Sequence, residues 1–180
     1  FKYYLNQDYL FLIHFARAYA LAAYKSDNLA DIRQAADGLN AIINTEMDLH
    51  VKFCSDWDLS EPNMEALPEA AETMAYTRYV LEKGLSGDLL DLHVALAPCI
   101  IGYAEIGNLF KDQISNNPFG AWIEMYASDE YQAIASAEID QLDKLMGSRG
   151  GEGRFKNLSN TFNQATKLET AFWQMGLNLE

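Results

Sequence analysis

Several residue classes that mark particular kinds of protein are scarce in this sequence of 180 residues. It has two cysteines, too few for the disulfide framework of a small secreted domain, so a reducing, cytoplasmic location is expected. Basic residues are also few: 13 Lys and Arg against 26 Asp and Glu give a net charge of −13. A surface with this much negative charge repels phosphate groups and anionic lipids. We therefore expect neither nucleic acid nor a membrane as a partner. Uninterrupted apolar runs end well before 18 residues, so no bilayer span is predicted.

The sequence does have the composition of a folded domain, with 49% hydrophobic and 12% aromatic residues. Its apolar residues recur with a helical period almost throughout, and no alternating strand pattern bounded by turn pairs is present. We therefore predict an all-α fold, a single-domain helical bundle over residues 1–180. Such bundles place their sites in the core, between facing helices.

Turn and capping signals divide the pattern into helices. The predicted helices lie near 1–25, 29–54, 70–83, 89–111, 116–126, 128–146 and 154–175, with a proline-bounded connection at 57–68. The glycine-rich stretch 147–153 is predicted to be a flexible linker before the last helix. Because the chain starts at Phe1 already in helical pattern, we expect a preceding N-terminal segment to be missing.

Two carboxyl groups stand on apolar helix faces. Asp8 has Phe11 and Leu12 as helical neighbours, and Glu169 is followed one turn later by Phe172. Burial raises the pKa of a carboxyl group, which makes it a candidate acid or base near neutral pH. The alternative is that each carboxyl only bonds a buried tyrosine or backbone group and holds helices together.

Glu46 and His50 are four residues apart on the inner face of the second predicted helix. Such a pair can supply two ligands to a di-iron site, but that site needs about four carboxylates and two histidines from several helices. The sequence has three histidines and no Glu-x-x-His motif. We therefore expect a structural Glu–His pair that bridges helices, and no metal.

Cys99 follows Pro98 inside a predicted apolar helix, with Tyr103 one turn later on the same face. It is a candidate nucleophile, although a buried free cysteine is more often a small hydrophobic residue. Cys54 is expected to be only that. Tyrosines such as Tyr76 and Tyr126 need hydrogen-bond partners when buried, and tyrosines around a thiol and two carboxyls suit a flat heteroaromatic ligand.

Six short motifs occur in an order that resembles one known family. They are Gln7-Asp8-Tyr9-Leu10-Phe11-Leu12, Glu46-Met47-x-Leu49-His50, Ala75-Tyr76-Thr77, Pro98-Cys99 with Tyr103-x-Glu105-Ile106-Gly107, Trp122-Ile123-x-x-Tyr126, and Glu169-x-x-Phe172-Trp173-x-Met175. The series is similar to the thiaminase II, or TenA, family and covers essentially the whole chain. The resemblance implies a heme-oxygenase-like helical bundle.

The resemblance also implies a reaction. TenA enzymes of the cysteine branch hydrolyse an aminomethylpyrimidine to hydroxymethylpyrimidine and ammonia in thiamin salvage, and can cleave thiamin itself, without a cofactor. By this similarity Cys99 is the nucleophile and Glu169 exchanges a proton with a ring nitrogen. Asp8 binds the exocyclic amine and the adjacent ring nitrogen. The expected ring contacts are Phe11, Tyr76, Tyr103 and Tyr126.

Two other functions remain open at this point. One is a non-catalytic pyrimidine-binding or regulatory protein on the same fold. The other is a PqqC-like relative with oxidative chemistry, either cofactor-free or with two irons, although three histidines are few for the iron version. The resemblance to the TenA family also implies that the protein is a homotetramer.

Overall fold

The computed structural model describes residues 1–55, 57 and 59–179. Asp58, within the predicted 57–68 connection, and Glu180, the last residue of the predicted domain, lie outside the described residues. The described residues form nine α-helices: α1 (Lys2–Lys25), α2 (Leu29–Ala41), α3 (Met47–Ser55), α4 (Glu61–Glu65), α5 (Ala71–Ser86), α6 (Leu89–Phe110), α7 (Gly120–Ala127), α8 (Asp129–Arg149) and α9 (Glu152–Asn178). No strand occurs in these ranges, which confirms the all-α prediction.

Side chains just before the helices fix several of their starting points. Asn28 caps α2 by accepting a hydrogen bond from the Asp31 backbone N–H, and Ser128 caps α8 in the same way. Asp88 forms a reciprocal capping box with Asp91 at the start of α6. These caps satisfy backbone donors that have no partner inside the helix.

The two helices at the centre of the bundle are α1 and α6. Helix α6 packs against α1, α5, α7, α8 and α9, while α1 also packs against α2, α3 and α4. A buried pair, His93 with Glu138 at 2.8 Å, joins α6 to α8. The core that results is rich in aromatic residues, and the side chains of the candidate site project into it.

Helix α6 is more apolar than expected from the sequence, in which no segment was predicted to span a bilayer. Within the described ranges, only the stretch Leu89–Gln113 is long and apolar enough to cross a membrane by length and composition, with a mean hydropathy of 1.5. However, 72% of its apolar window is buried inside the bundle. The other helices therefore already cover most of this apolar surface, as is typical of a central core helix.

Four predicted segments differ from the structure. The predicted connection 57–68 contains the short helix α4, and the helix predicted from about residue 116 begins at Gly120 as α7. The second predicted helix is interrupted by a π-helical turn at Ile42–Glu46, which separates α2 from α3. The predicted linker 147–153 is much shorter, because residues 147–149 complete α8 and residues 152–153 begin α9. Only Gly150 and Gly151 connect the two helices, and Gly151 has a φ of 134°, a conformation that favours glycine.

Candidate active site

A cavity of about 800 Å³ opens between α1, the π-helical turn, α6, α7 and the start of α8. Five of the seven residues predicted for the site line it: Asp8, Phe11, Cys99, Tyr103 and Tyr126. The other two, Tyr76 and Glu169, are not among the lining residues. They lie next to the lining residues, close enough for Glu169 and Cys99 each to raise the pKa of Tyr76.

Asp8 is buried on α1, with 3% of its surface exposed, and its carboxyl has two side-chain partners. His50 lies 2.7 Å from Oδ2 through Nε2, and the Tyr4 hydroxyl donates to the same oxygen at 3.2 Å. Tyr4 is in turn 2.8 Å from the Tyr103 hydroxyl, so a chain of hydrogen bonds runs from Tyr103 to Asp8. No hydrogen bond from a described residue reaches Oδ1 of Asp8, which leaves that oxygen available to a ligand in the cavity.

His50 lies between two hydrogen-bond acceptors. Its Nδ1 lies 2.8 Å from the backbone carbonyl of Glu46, and its Nε2 lies 2.7 Å from the Asp8 carboxyl. This arrangement favours the cationic ring, in which both nitrogens carry a proton and can donate. Burial lowers the pKa of His50, but the hydrogen bond and charge of Asp8 outweigh burial and raise the pKa above its ordinary value. The cation compensates the buried charge of Asp8.

This geometry corrects the expected Glu46–His50 pair. His50 contacts the backbone of Glu46, and its side-chain partner is Asp8, 42 residues away. The side chain of Glu46 instead lines the cavity. The difference arises because His50 packs against α1, where the Asp8 carboxyl reaches its Nε2.

Cys99 lies on α6 directly after Pro98 and faces the cavity from the side of the core. Burial raises the pKa of the Cys99 thiol well above its ordinary value, and the charges of Glu169, Glu46 and Asp8 raise it further. The thiol is therefore protonated at neutral pH, and the three neighbouring carboxyl groups are possible acceptors of its proton. Cys54 is fully buried away from the cavity, in agreement with its interpretation as a small hydrophobic residue.

Glu169 projects from α9 toward the core near Tyr76 and Cys99. Its Oε1 accepts a hydrogen bond from the Trp173 indole at 3.0 Å, whereas its Oε2 is buried and has no partner among the described residues. Burial raises the pKa of Glu169 to about 7, and the charge of Asp8 adds to this, while Tyr76, Trp173 and Tyr103 oppose it. Tyr76 lies close enough to lower this pKa, but its buried hydroxyl makes no hydrogen bond of good geometry.

Aromatic rings form the walls around these groups. Phe11 packs on Tyr76 with ring centroids 5.1 Å apart, and Tyr103 packs on Tyr126 at 4.8 Å. Trp173 packs on Tyr103 at 5.5 Å, so the α9 residue that binds Glu169 also touches the cavity wall. A flat apolar slot of this kind accepts a planar ring and excludes water from it.

Gly107 allows α7 to approach α6 closely enough to place Tyr126 in the cavity. A Cβ atom at Gly107 would lie 2.5 Å from the backbone carbonyl carbon of Tyr126 and 2.6 Å from its oxygen. No side chain fits this contact between two helix backbones. The glycine of the Tyr103-x-Glu105-Ile106-Gly107 motif therefore has a packing role.

Sequence reasoning missed two parts of the site, Tyr4 and the pairing of His50 with Asp8. Tyr4 precedes Asp8 by one helical turn, a spacing at which a hydroxyl reaches a carboxyl, so a signal was present for it. The His50 contact bridges α1 and α3 and depends on tertiary packing. Among the described residues, no group of three or more His, Cys, Asp and Glu side chains is arranged to hold a metal ion.

Comparison with known proteins confirms the resemblance. Residues 1–179 match the TENA/THI-4/PQQC family. An aminopyrimidine aminohydrolase of Halalkalibacterium halodurans is 38% identical over 181 residues, which cover 99% of this chain and 80% of that protein. An uncharacterized protein of Haemophilus influenzae is also 38% identical, over 99% of this chain and 84% of its own.

A similar solved structure supports the same assignment. The crystal structure of a TenA family transcription regulator from a Silicibacter species is 46% identical, with a TM-score of 0.93. The match covers 98% of this chain and 81% of that one. By family match, sequence identity and fold, this chain belongs to the TENA/THI-4/PQQC family.

Proposed function

We propose that this protein is an aminopyrimidine aminohydrolase of thiamin salvage. It would convert 4-amino-5-aminomethyl-2-methylpyrimidine and water to the hydroxymethylpyrimidine and ammonia, with Cys99 as the nucleophile. The observation that carries the proposal is the cavity in which one thiol lies among Asp8, Glu46 and Glu169 between aromatic walls. The relatives described as aminopyrimidine aminohydrolases, from Halalkalibacterium halodurans, Helicobacter pylori and Bacillus subtilis, support it.

In the proposed reaction, Asp8 orients the pyrimidine. His50 and Tyr4 hold its Oδ2, and its Oδ1 accepts a hydrogen bond from the ring amine. When protein groups contact only one oxygen of a carboxylate, the other oxygen can still accept a hydrogen bond from a ligand. Phe11, Tyr103 and Tyr126 then hold the ring from the cavity walls, while Tyr76 supports Phe11.

Glu169 and Cys99 would then exchange protons with the substrate. A thiol with a raised pKa needs a base before it can attack, and Glu169, with a pKa of about 7, is half ionised near neutral pH. As the sulfur adds to the ring carbon, electron density moves to a ring nitrogen, which takes a proton from Glu169. Addition lets the electrons of the ring amine expel the substituent on the neighbouring carbon, and water replaces it before the sulfur departs.

The same sequence of steps accommodates thiamin, in which the leaving group is a thiazole. The cavity volume of about 800 Å³ exceeds what a single pyrimidine ring fills, so space remains for a larger leaving group. We therefore propose that thiamin cleavage is a second activity of the same site.

Incubation of the purified protein with the aminopyrimidine and, separately, with thiamin tests the proposal. Chromatography should detect hydroxymethylpyrimidine from the aminopyrimidine, with a slower release from thiamin. Tight binding of either compound by calorimetry without any release would contradict the hydrolase proposal and favour a pyrimidine-binding regulator.

We also propose an oligomeric state and a location for the enzyme. A homotetramer in the cytoplasm, with no nucleic acid or membrane partner, fits the net charge of −13 and several large apolar side chains that the single chain leaves exposed. Among these, Leu109 is 73% exposed, Leu177 77% and Phe155 62%. Light scattering coupled to gel filtration should give a mass four times that of the chain, and a monomer would contradict this assembly.

A further inference from the structure

One proton transfer of the proposed reaction, the one from the attacking water, involves neither Asp8 nor Glu169. Asp8 and Glu169 act at the pyrimidine ring, but hydrolysis also requires a base for the water that replaces the leaving group. That base must face the open part of the cavity, where substituent and water lie. Glu169 is not among the cavity-lining residues.

Glu46 is the carboxyl group with the required position. It ends the π-helical turn Ile42–Glu46, and Ile42, Thr45 and Glu46 all line the cavity. A π-helical turn interrupts the regular hydrogen-bond pattern of a helix and is frequent at functional sites. No hydrogen bond or ion pair from a described residue occupies the Glu46 side chain, whereas Asp8 and Glu169 both have such partners.

Glu46 and Glu169 differ in their position relative to the cavity. Both carboxyl groups raise the pKa of the Cys99 thiol, and the charge of Asp8 raises the pKa of both. Glu46 lines the cavity together with Cys99 and Asp8, whereas Glu169 is not among the lining residues. Of the two, Glu46 is therefore the carboxyl group that a water molecule in the cavity can reach.

The surroundings of Glu46 suit a group that gains and loses a proton. Burial raises the pKa of Glu46 to about 7, with His50 lowering it and Asp8 raising it. The titratable and charged groups that interact with Glu46 or line the same cavity come from five helices: Asp8 and Tyr19 on α1, His50 and Lys52 on α3, Cys99 and Tyr103 on α6, Glu124 and Tyr126 on α7, and Glu130 and Tyr131 on α8.

We propose that Glu46 is a catalytic base on the substituent side of the cavity. As a carboxylate it binds the protonated aminomethyl group of the substrate, and it later accepts a proton from the attacking water. This inference rests on the proposed aminopyrimidine hydrolysis and assigns to it a residue that the sequence analysis treated as structural.

The step balances without any co-reactant besides water. After the Cys99 sulfur bonds to the ring, the carbon–nitrogen bond of the ammonium group breaks, its electron pair goes to nitrogen, and ammonia leaves. The water oxygen bonds to the exposed methylene carbon, its proton passes to Glu46, and the electron pair returns to the ring. The sulfur–carbon bond then breaks, and ammonia takes the proton from Glu46 and departs as ammonium.

The test compares Glu46→Gln with Asp48→Asn, a matched loss of an exposed carboxyl two residues further along the chain that is not among the cavity-lining residues. Glu46→Gln should lower kcat for the aminopyrimidine by about 10²-fold or more, within the range of general base catalysis, and Asp48→Asn by less than about 3-fold. The wild-type kcat should rise with pH through about 7, where both Glu46 and Glu169 ionise, so the role of Glu46 is read from kcat and from chemical rescue.

Three further measurements separate a catalytic from a structural role. Added formate should restore part of the kcat of Glu46→Ala, because a small carboxylate can act as base in the vacated space. Calorimetry should show that Glu46→Gln binds hydroxymethylpyrimidine, which lacks the ammonium group, within about 3-fold of wild type. Glu46→Asp keeps a carboxyl group and should have a higher kcat than Glu46→Gln.

The outcomes distinguish this inference from the proposed function. Wild-type activity together with a Glu46→Gln kcat within 3-fold of wild type would overturn the role of Glu46 and leave the hydrolase in place. A large loss of kcat in Glu46→Ala that added formate does not restore would also overturn it. Absence of hydroxymethylpyrimidine release by the wild-type protein itself would overturn both proposals.

Discussion

At the scale of single residues, the site combines groups whose protonation states differ because of their neighbours. Asp8 lies against His50, whose pKa is raised, whereas burial raises the pKa of Glu169 to about 7 and that of Cys99 well above its ordinary value. A carboxyl group whose pKa is moved toward neutrality can act as acid or base in an active site. Because the Cys99 thiol is protonated at neutral pH, a neighbouring base must take its proton before the sulfur can attack.

The raised pKa of Glu169 predicts a gain in stability when its charge is removed. A carboxyl whose pKa is higher in the folded than in the unfolded state stabilises the protein at low pH, and this contribution is lost as the pH rises from about 4.5 through 7. Glu169→Gln should therefore unfold with a free energy about 1–3 kcal/mol above that of wild type at pH 8, and about equal to it at pH 4.5. Urea denaturation at the two pH values measures this.

The same variant should lose activity, because Gln cannot exchange the proton that the ring nitrogen requires. We expect kcat to fall by about 10²–10⁴-fold. A Glu169→Gln protein that is less stable than wild type at pH 8 would show that the buried carboxyl is compensated by partners, contrary to its unpaired Oε2.

His50 supports a prediction about the charge of Asp8. His50→Gln removes the cation and leaves a buried carboxylate without its compensating charge, which costs about 3–5 kcal/mol of unfolding free energy. Because the pKa of His50 is raised in the folded state, this stabilisation is full below about pH 6.5, the ordinary value, and declines as the pH rises past the folded value.

Urea denaturation of wild type and His50→Gln at pH 6 and pH 10 measures that difference. His14→Gln is the matched control, since His14 forms a peripheral pair with Glu69 and its loss should cost less than about 1 kcal/mol. An equal effect of the two substitutions, or no decline with pH for His50, would contradict the cationic assignment.

At the scale of elements, two irregular features place the site. The π-helical turn Ile42–Glu46 brings Glu46 to the cavity, and the close contact of α6 with α7 at Gly107 brings Tyr126 there. The π-helical turn lies between the regular helices α2 and α3, and the Gly107 contact lies between the regular helices α6 and α7. The regular helices thus supply a rigid frame, and local departures from regularity direct the functional side chains.

Gly107 gives a prediction with a control on the same helix. Gly107→Ala would place its Cβ 2.5 Å from the Tyr126 backbone, so α7 must shift, at a cost of about 1–3 kcal/mol, and hydrolysis should slow. Gly102→Ala meets no atom within 4 Å and should stabilise α6 by up to about 1 kcal/mol. Thermal melting and hydroxymethylpyrimidine release compare the two variants. Equal melting temperatures would contradict the packing role of Gly107.

The helices were predictable where their apolar period is long, as in α1, α6 and α9. The interruption between α2 and α3 was not, because a single π-helical turn barely disturbs the spacing of apolar residues on either side. The length of the 147–153 connection was overestimated because glycine lowers helix propensity by only about 1 kcal/mol, which tertiary packing overrides.

At the scale of the whole molecule, the ordered motifs of the sequence come from distant segments that the fold brings together. Asp8, Cys99 and Tyr126 come from three distant segments, and the bundle brings all three to one cavity. Periodicity alone identified Asp8 and Glu169 as polar residues on apolar faces but gave no partner for either. The Asp8–His50 contact spans 42 residues and depends on how α1 packs on α3, which no local pattern encodes.

The most direct test of the account compares Cys99→Ser with Cys54→Ser, the same substitution at the other free thiol. Hydroxymethylpyrimidine release from the aminopyrimidine is followed by chromatography, and product binding by calorimetry. We predict that Cys99→Ser abolishes release while binding stays within about 3-fold of wild type, because serine changes little volume, and that Cys54→Ser retains activity. Wild-type rates of release in Cys99→Ser would contradict Cys99 as the nucleophile.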